Sequence, residues 1–258
     1  MNFNRNFISR ISVARATPIV FAALLLALSP AAHADFWTGK SIKGSGVIKS
    51  ETRNVSGFTG VSLAVPAKLE IVQGASESLT IEGDDNIVPL IETVVENGTL
   101  KIRFTEKNTS ITTKALKAVL NVKTLELLSV AGSGDIRAAK LQAGNLKTSI
   151  SGSGDINIAS LDADMLKLSI AGSGSVTAAG KAKNVEANVA GSGDVKLGKL
   201  EAAIAKASIQ GSGDVTVWAK DSLTVSVAGS GDVKYYGDAK VTKSVAGSGS
   251  VKRLGTAP

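Results

Sequence analysis

Seven copies of Gly-Ser-Gly divide the second half of the chain into near-equal lengths. They begin at Gly132, Gly152, Gly172, Gly191, Gly211, Gly229 and Gly247, at intervals of 20, 20, 19, 20, 18 and 18 residues. An eighth, isolated copy begins at Gly44. A fixed period of this size is the mark of a solenoid or an array. Each repeat is then one unit that can bury its apolar face only against its neighbours.

Inside each unit the aliphatic residues alternate. Leu146, Thr148, Ile150, Ile156 and Ile158 share one parity, and Ser151, Ser153 and Asp155 take the other. Period two is the signature of strands with one buried face. Gly152 and Gly154 fall on the inward parity, as do Gly191 and Gly193 between Val189 and Val195. A hairpin tip would ask for a short turn such as Asn-Gly between antiparallel strands, not the same string seven times. The pattern predicts a corner whose glycines face an interior too narrow for side chains. Parity shifts near Ser160-Leu161 and across 162–165. The other corners are expected there, absorbing the change of interval from 20 to 18. The expected fold is all-β: a single-stranded, right-handed parallel β-helix of about 18–20 residues per coil. Right-handedness is the default for parallel crossovers, and the seven coils would stack at about 4.8 Å.

Residues 50–131 are strand-like but less regular. Lys68–Val72 runs into a Gln73-Gly74 turn, and Leu79–Glu82 into Gly83-Asp84-Asp85-Asn86. Asn97-Gly98 separates Val94-Val95 from Thr99–Phe104, which predicts a hairpin. Residues 106–114 are polar and read as an exposed loop. Irregular end coils with longer loops are what caps a solenoid. The expected organisation is a single solenoid over 35–258, irregular over 50–131 and regular over 132–251.

Residues 1–34 read as an address. Arg5, Arg10 and Arg15 precede an apolar run over 18–28, and Ala32-His33-Ala34 has the form of a cleavage site. Eleven apolar residues fall short of the about 30 Å of a hydrocarbon core, so a cleaved signal peptide is expected, with export to the periplasm, outer-membrane surface or medium. No later stretch is long and apolar enough for a transmembrane helix. Cleavage would remove three arginines and no acid, taking the formal charge from +7 to +4. The remaining charges are mixed along the chain, which argues against nucleic acid as a partner.

Cleavage would also remove His33, the only histidine, and the chain has no cysteine. That excludes serine–histidine triads, thiol chemistry and imidazole or thiolate zinc sites. The chemistry that remains belongs to carboxylates, lysines and hydroxyls. An acid follows five of the seven motifs: Asp135, Asp155, Asp194, Asp214 and Asp232; Ser175 and Ser250 take the place in the other two. Stacked in register, neighbouring carboxylates would lie about 5 Å apart, and like charges that close need a partner. One reading is a calcium column, since hard cations want several oxygen ligands. The other is that each Asp accepts backbone N–H groups at its corner. No other cofactor is indicated. The serines of the motif form a second outward column. Carboxylate pairs at this spacing also admit glycoside cleavage. Aromatic platforms for a sugar are few: Trp37, Trp218, Tyr235, Tyr236 and a few Phe.

Arg53-Asn-Val-Ser-Gly-Phe58, Ile71-Val-Gln-Gly74, Ile81-Glu-Gly-Asp84, Asn97-Gly-Thr-Leu-Lys-Ile102 and the Ser-Gly-Ser-Gly-Asp coils together resemble the putative auto-transporter adhesin, head GIN domain family. The resemblance spans about residues 50–250. It implies a β-helical, exported bacterial protein with an adhesive or surface role, and it transfers no catalytic residue. The expected function is non-enzymatic binding by repetitive polar ladders to a cell-surface polysaccharide, an envelope component or another copy of the chain. The alternatives are a structural envelope protein and a carbohydrate-active enzyme using acids of the Asp column.

Overall fold

Each Gly-Ser-Gly motif sits directly on the one before it. The computed structural model describes residues 41–113 and 115–258; the expected signal peptide and Trp37 lie outside the described residues. Asp155–Gly172 pairs in parallel with Ser175–Gly191, which pairs with Asp194–Gly211, which pairs with Val215–Gly229. In every pairing glycine meets glycine: Gly132, Gly152, Gly172, Gly191, Gly211, Gly229 and Gly247 form one column. The result is a β-solenoid of parallel stacked strands, and its seven corners bound about six turns.

Parallel in-register stacking places like on like. Val130, Ile150, Ile170, Val189, Ile209 and Val227 form one interior ladder, and Ile136, Ile156, Val176, Val195, Val215 and Val233 another; all are buried. Branched side chains with few rotamers suit such columns, because each fills the pleat without losing much freedom. Each full burial is worth about 1.5–3 kcal/mol before conformational entropy is set against it. Thr148 shares this interior, as its parity predicts, and its hydroxyl is buried with no hydrogen-bond partner.

The second glycine of each motif faces the crowded interior as its parity predicts, and the first does not. The first glycine of each motif is not core: Gly152, Gly172, Gly191, Gly211 and Gly229 are half-exposed. What it needs is backbone, with φ between +101° at Gly132 and +137° at Gly229. L-residues rarely adopt that conformation. Its carbonyl is shared by two donors of the next coil: Ser153 N–H at 2.8 Å and Gly154 N–H at 3.0 Å both reach Gly132 O. Ser212 and Gly213 do the same to Gly191, and Ser230 and Gly231 to Gly211. A Cβ on Gly152 or Gly172 would collide with the carbonyl of the glycine beneath. The second glycine is buried, and a Cβ on Gly154 would come within 2.7 Å of Val130 Cγ1. The crowding is therefore between coils as much as across the interior.

The other corners absorb the changes of interval. Register slips between Ile158 and Leu161, between Thr177 and Ala179, and between Leu197 and Glu201, where residues 198–200 have no counterpart in the following coil.

Part of the irregular region is also solenoid. Gly60–Ala64 and Lys68–Gln73 form a coil in parallel register with Leu127–Gly132 and Asp135–Ala138. Thr99–Phe104 and Lys117–Val122 lie beneath it. There pairing turns antiparallel: Ile91–Glu96 covers Thr99–Phe104, and Ser78–Asp84, itself covered by Ile48–Arg53, covers Lys117–Val122. The predicted hairpin is present, with Asn97 at φ +51° and Gly98 at +72°, the pair of positive values a type I′ turn requires. The expected loop over 106–114 is partly strand, because Ser110–Thr112 pairs in parallel with Ser41–Lys43. Arg53 holds this cap together by donating to the carbonyls of Ile91 at 2.5 Å and Val88 at 3.1 Å.

Among the described residues the far end carries no such cap. Lys240–Gly247 pairs with Val215–Gly229 and is exposed along nearly its whole length. The inward column Leu128, Thr148, Leu168, Ala187, Ala207, Val225 ends there in Lys243. An inward-pointing charge on a terminal strand is a known way to block edge-to-edge pairing.

Two outcomes follow for the stack and its open end. Gly172→Ala is expected to lower stability by about 1–3 kcal/mol or more, and Ser173→Ala by no more than about 0.5 kcal/mol, in urea unfolding. Lys243→Val is expected to produce concentration-dependent association in light scattering, whereas Lys243→Gln is not. An unchanged mass for Lys243→Val would show that the charge does not guard this end.

Candidate binding surface

The outer surface inherits the regularity of the core. One step outward from the interior ladders runs a row of hydroxyls broken by one amide: Ser62, Ser129, Ser149, Ser169, Asn188, Ser208, Ser226 and Ser244 in direct register. Beside it run Ala131, Ser151, Ala171, Ala190, Gln210, Ala228 and Ala246. The motif serines, Ser133 through Ser248, are exposed at the corner. The side chains of the first two rows are short apart from Asn188 and Gln210, and on the other side of the hydroxyls the same face carries Lys147, Lys167, Glu186 and Lys206 in register.

The aspartates form the column their spacing predicts, and their contacts run along the stack. Asp155 Oδ1 accepts Ser175 N–H at 2.9 Å and the Ser175 hydroxyl at 2.8 Å. Asp194 Oδ1 accepts Asp214 N–H at 3.3 Å, and Asp214 Oδ1 accepts Asp232 N–H at 3.0 Å. Asp232 Oδ1 accepts both the N–H and the hydroxyl of Ser250 at 2.9 Å. Each carboxylate thus fastens the next coil. Lys234 also lies 3.3 Å from Asp214 Oδ2, and Lys196 3.4 Å from Asp194 Oδ2. Asp135 opens the column, its own N–H donated to Ala67 O at 2.9 Å. Among the described residues no three acids or histidines gather in the manner of a metal site.

A third surface carries charges of alternating sign. Asp162 meets Lys181 at 3.3 Å, Asp164 meets Lys183 at 2.6 Å, and Glu201 meets Lys220 at 3.0 Å. On the hydroxyl face itself, beside Asn188, Glu186 sits between Lys167 at 3.2 Å and Lys206 at 3.9 Å. The Lys167 contact holds the Glu186 carboxyl below the usual carboxylate range, and the Asp164 contact raises Lys183. Exposed pairs of this kind contribute little each; their effect is to fix the pattern of charge.

The isolated Gly44-Ser45-Gly46, which the repeat does not account for, is held by the turn after Ser78–Asp84. Asp84 is nearly fully buried; its Oδ1 accepts Gly46 N–H at 2.7 Å and its Oδ2 accepts the Thr113 hydroxyl. Ser45 N–H donates to Asn86 Oδ1 at 3.0 Å, and Asn86 Nδ2 donates to Lys43 O at 2.9 Å. A Cβ on Gly44 would strike the Asp84 carboxylate. Sequence reading marked both segments and gave no sign that they meet.

Of the aromatic residues, Trp218 and Tyr236 are half-exposed and face each other in register on adjacent coils. Tyr235 packs against the core instead. Clefts among the described residues are open and shallow. One of about 450 Å³ runs from Lys140 and Gln142 past Asp162 and Lys181 to Trp218. Another, of about 360 Å³, lies under Tyr236.

Two carboxylates are tuned by these contacts. The Thr113 hydroxyl, then Gly46 N–H, holds Asp84 below the ordinary carboxylate range. The Ser250 hydroxyl, then its N–H, does so for Asp232. A pKa depressed on folding stabilises above the unfolded value of about 3.9, and that stability is lost as pH falls through the lower folded value. The melting temperature should therefore fall as pH drops below about 4, and the fall should be shallower in the Asp84→Asn, Asp232→Asn double variant. An acid limb identical in both proteins would count against these two groups.

The family described as putative auto-transporter adhesin, head GIN domain matches residues 57–239. Among solved structures, a putative adhesin from Bacteroides fragilis NCTC 9343 is similar at TM-score 0.79 and 29% identity, over 83% of this chain and 100% of that one. A putative lipid binding protein from Parabacteroides distasonis ATCC 8503 is similar at TM-score 0.71 and 28% identity, again over 83% and 100%. A putative adhesin from Parabacteroides merdae ATCC 43184 shares the fold at TM-score 0.67 and 21% identity, over 83% and 99%. No curated protein matches the sequence. The matched span begins at Gly57 of the Arg53–Phe58 motif and runs through the hairpin and the glycine corners to Ala239, and the chain belongs to the putative auto-transporter adhesin, head GIN domain family.

Proposed function

We propose that this chain is an exported, non-enzymatic binding module that engages a surface polymer of a cell envelope through its outer ladders. The observation that carries this reading is the in-register row from Ser62 to Ser244, serine throughout but for Asn188, set between a row of mostly small residues and a row of charged ones and joined by an exposed serine corner. Closely similar polar groups repeat at the strand spacing of about 4.8 Å, so a ligand with its own repeat meets many near-equivalent weak contacts. Linked weak contacts add up to avidity without any dominant residue. Family membership and the solved adhesin-named relatives support the same reading. Export rests on the amino-terminal address, and no described helix is long and apolar enough to cross a membrane.

The acids belong to the scaffold in this reading. Asp155, Asp194, Asp214 and Asp232 already accept hydrogen bonds from the coil above, so calcium would have to compete with those donors.

The test uses the chain expressed with its own amino terminus and recovered from the periplasm or medium. The expected mature start is Asp35. Binding is then measured to isolated envelope polysaccharide and to phospholipid vesicles, the second because one relative is named for lipid. Polysaccharide binding without release of new reducing ends is expected. The Asp194→Asn, Asp214→Asn double variant should bind within about twofold of the parent while melting earlier. Polysaccharide cleavage that this variant loses would overturn the reading in favour of an enzyme, and binding to vesicles alone would overturn the polymer.

A further inference from the structure

The solenoid is not uniform along its length, and the place where its coils shorten has chemistry that the ladders lack. The interval between motifs falls from 20 residues after Gly191 to 18 after Gly211. Pairing jumps there from Leu197 with Val217 to Glu201 with Trp218, leaving 198–200 unmatched. The wider coil projects as a ledge beneath the narrower ones. Tyr236 stands over this ledge. A Cβ on Gly198 would come within 3.2 Å of Thr216 Cγ2 and 3.3 Å of Tyr236 Cε2, so the absence of a side chain at 198 leaves the floor open to the ring.

The cleft of about 360 Å³ so formed has an apolar floor and a basic rim. Ala178, Ala179 and Gly198 lie beneath the ring; Lys196, Lys199, Thr177 and Thr216 surround it, with Pro258 on one side. No acidic side chain lines it. Lys199 makes no ion pair among the described residues, and Lys196 has only an exposed one with Asp194 at 3.4 Å. A partly exposed aromatic ring takes the flat C–H face of a ligand, hydroxyls match hydroxyls, and two mobile ammonium groups match a carboxylate. Lysines serve phosphate and carboxylate alike as point charges, so the choice rests on the aromatic ring and the two threonine hydroxyls beside them, which suit a sugar ring.

We propose that this step is a binding site for an acidic sugar, a uronate unit of a polysaccharide, with its ring on Tyr236 and its carboxylate between Lys196 and Lys199. The proposal rests on the polymer-binding reading above and names one class of polymer for it. The ladders then supply repetition, and the step supplies a point of selectivity.

The experiment is calorimetric titration of the full mature chain with oligogalacturonides of three to six units, against the same oligomers with methyl-esterified carboxylates. The free acids are expected to bind at least tenfold more tightly than the esters, and more weakly as salt is raised. Lys196→Gln with Lys199→Gln should weaken binding at least tenfold, and Gly198→Ala, which fills the floor and changes no charge, should also weaken it. Tyr236→Phe should bind as the parent does. Each variant is checked by its melting temperature, because an ordinary φ at Gly198 lets alanine fold there. Equal binding of acid and ester, or full binding by the lysine and Gly198 variants, would overturn the site. Envelope polysaccharide captured by a chain that ignores oligogalacturonide would also overturn it while sparing the wider reading. A chain that captures neither would overturn both.

Discussion

Everything in this molecule depends on one carbonyl per coil. The first glycine of each of the seven repeated motifs turns its backbone to positive φ, and at Gly132, Gly152, Gly191, Gly211 and Gly229 its oxygen is shared by two N–H groups of the next coil, while Gly172 O takes one, from Ser192. That contact sets the height of a coil at its tightest corner and tolerates no Cβ above it. Once the corner is set, the rest of the register follows: Val on Ile on Val inside, Ser on Ser outside, Asp beneath Asp or Ser at the exit. A one-residue slip would turn every aliphatic side chain outward, and the corner forbids it. The aspartates reinforce the same contact, since each Oδ1 takes the N–H that would otherwise face solvent at the strand's entry.

Much of this was legible because the sequence repeats. Parity placed the interior ladders, and of the parity shifts near Ser160-Leu161 and across 162–165 the first falls where register slips, between Ile158 and Leu161. The glycine column was legible as a corner but not as a contact. Parity alone assigned both glycines to the interior, and only the geometry separates a half-exposed Gly152 that needs its φ from a buried Gly154 that needs its space. The cap was harder. Thr99–Phe104 and Lys68–Gln73 read as strands from alternation, yet nothing local says that the first lies parallel to Gly60–Ala64 and antiparallel to Ile91–Glu96. Pairing partners more than a turn away leave no trace in local pattern. The short Ser110–Thr112 strand was hidden for the same reason: a single apolar residue, Ile111, in a polar stretch takes strand form beside Ser41–Lys43.

The candidate surface divides similarly. Columns were predictable, because a row in sequence at fixed period becomes a row in space. The Asp and Ser columns needed only the register to be drawn. Unique features were not predictable. Asp84 reads as a turn residue, and its role as the buried acceptor for Gly46 and Thr113 requires three segments to meet. Tyr236 reads only as one of a few aromatics, and its position over Gly198 depends on residues 198–200 having no counterpart in the coil between them. The signal was present, as the fall of the interval from 20 to 18, but it reads as loop variation until the ledge is seen.

That contrast bears on how a solenoid can be selective at all. A perfect ladder offers every register of a repeating ligand the same energy, so it binds strongly by repetition and discriminates poorly. Discrimination requires a position where the period breaks, because only there does one register of the ligand differ from the next. In this chain the break coincides with the half-exposed Trp218 and Tyr236 and with a Lys199 that has no ion-pair partner among the described residues. Placing the irregular chemistry at the irregular coil costs the stack little. The two interior ladders continue past it without interruption, Val195 to Val215 to Val233 and Ile209 to Val227. These two ladders carry the fold through the step, and the core gives up only Leu200, which has no counterpart in the next coil.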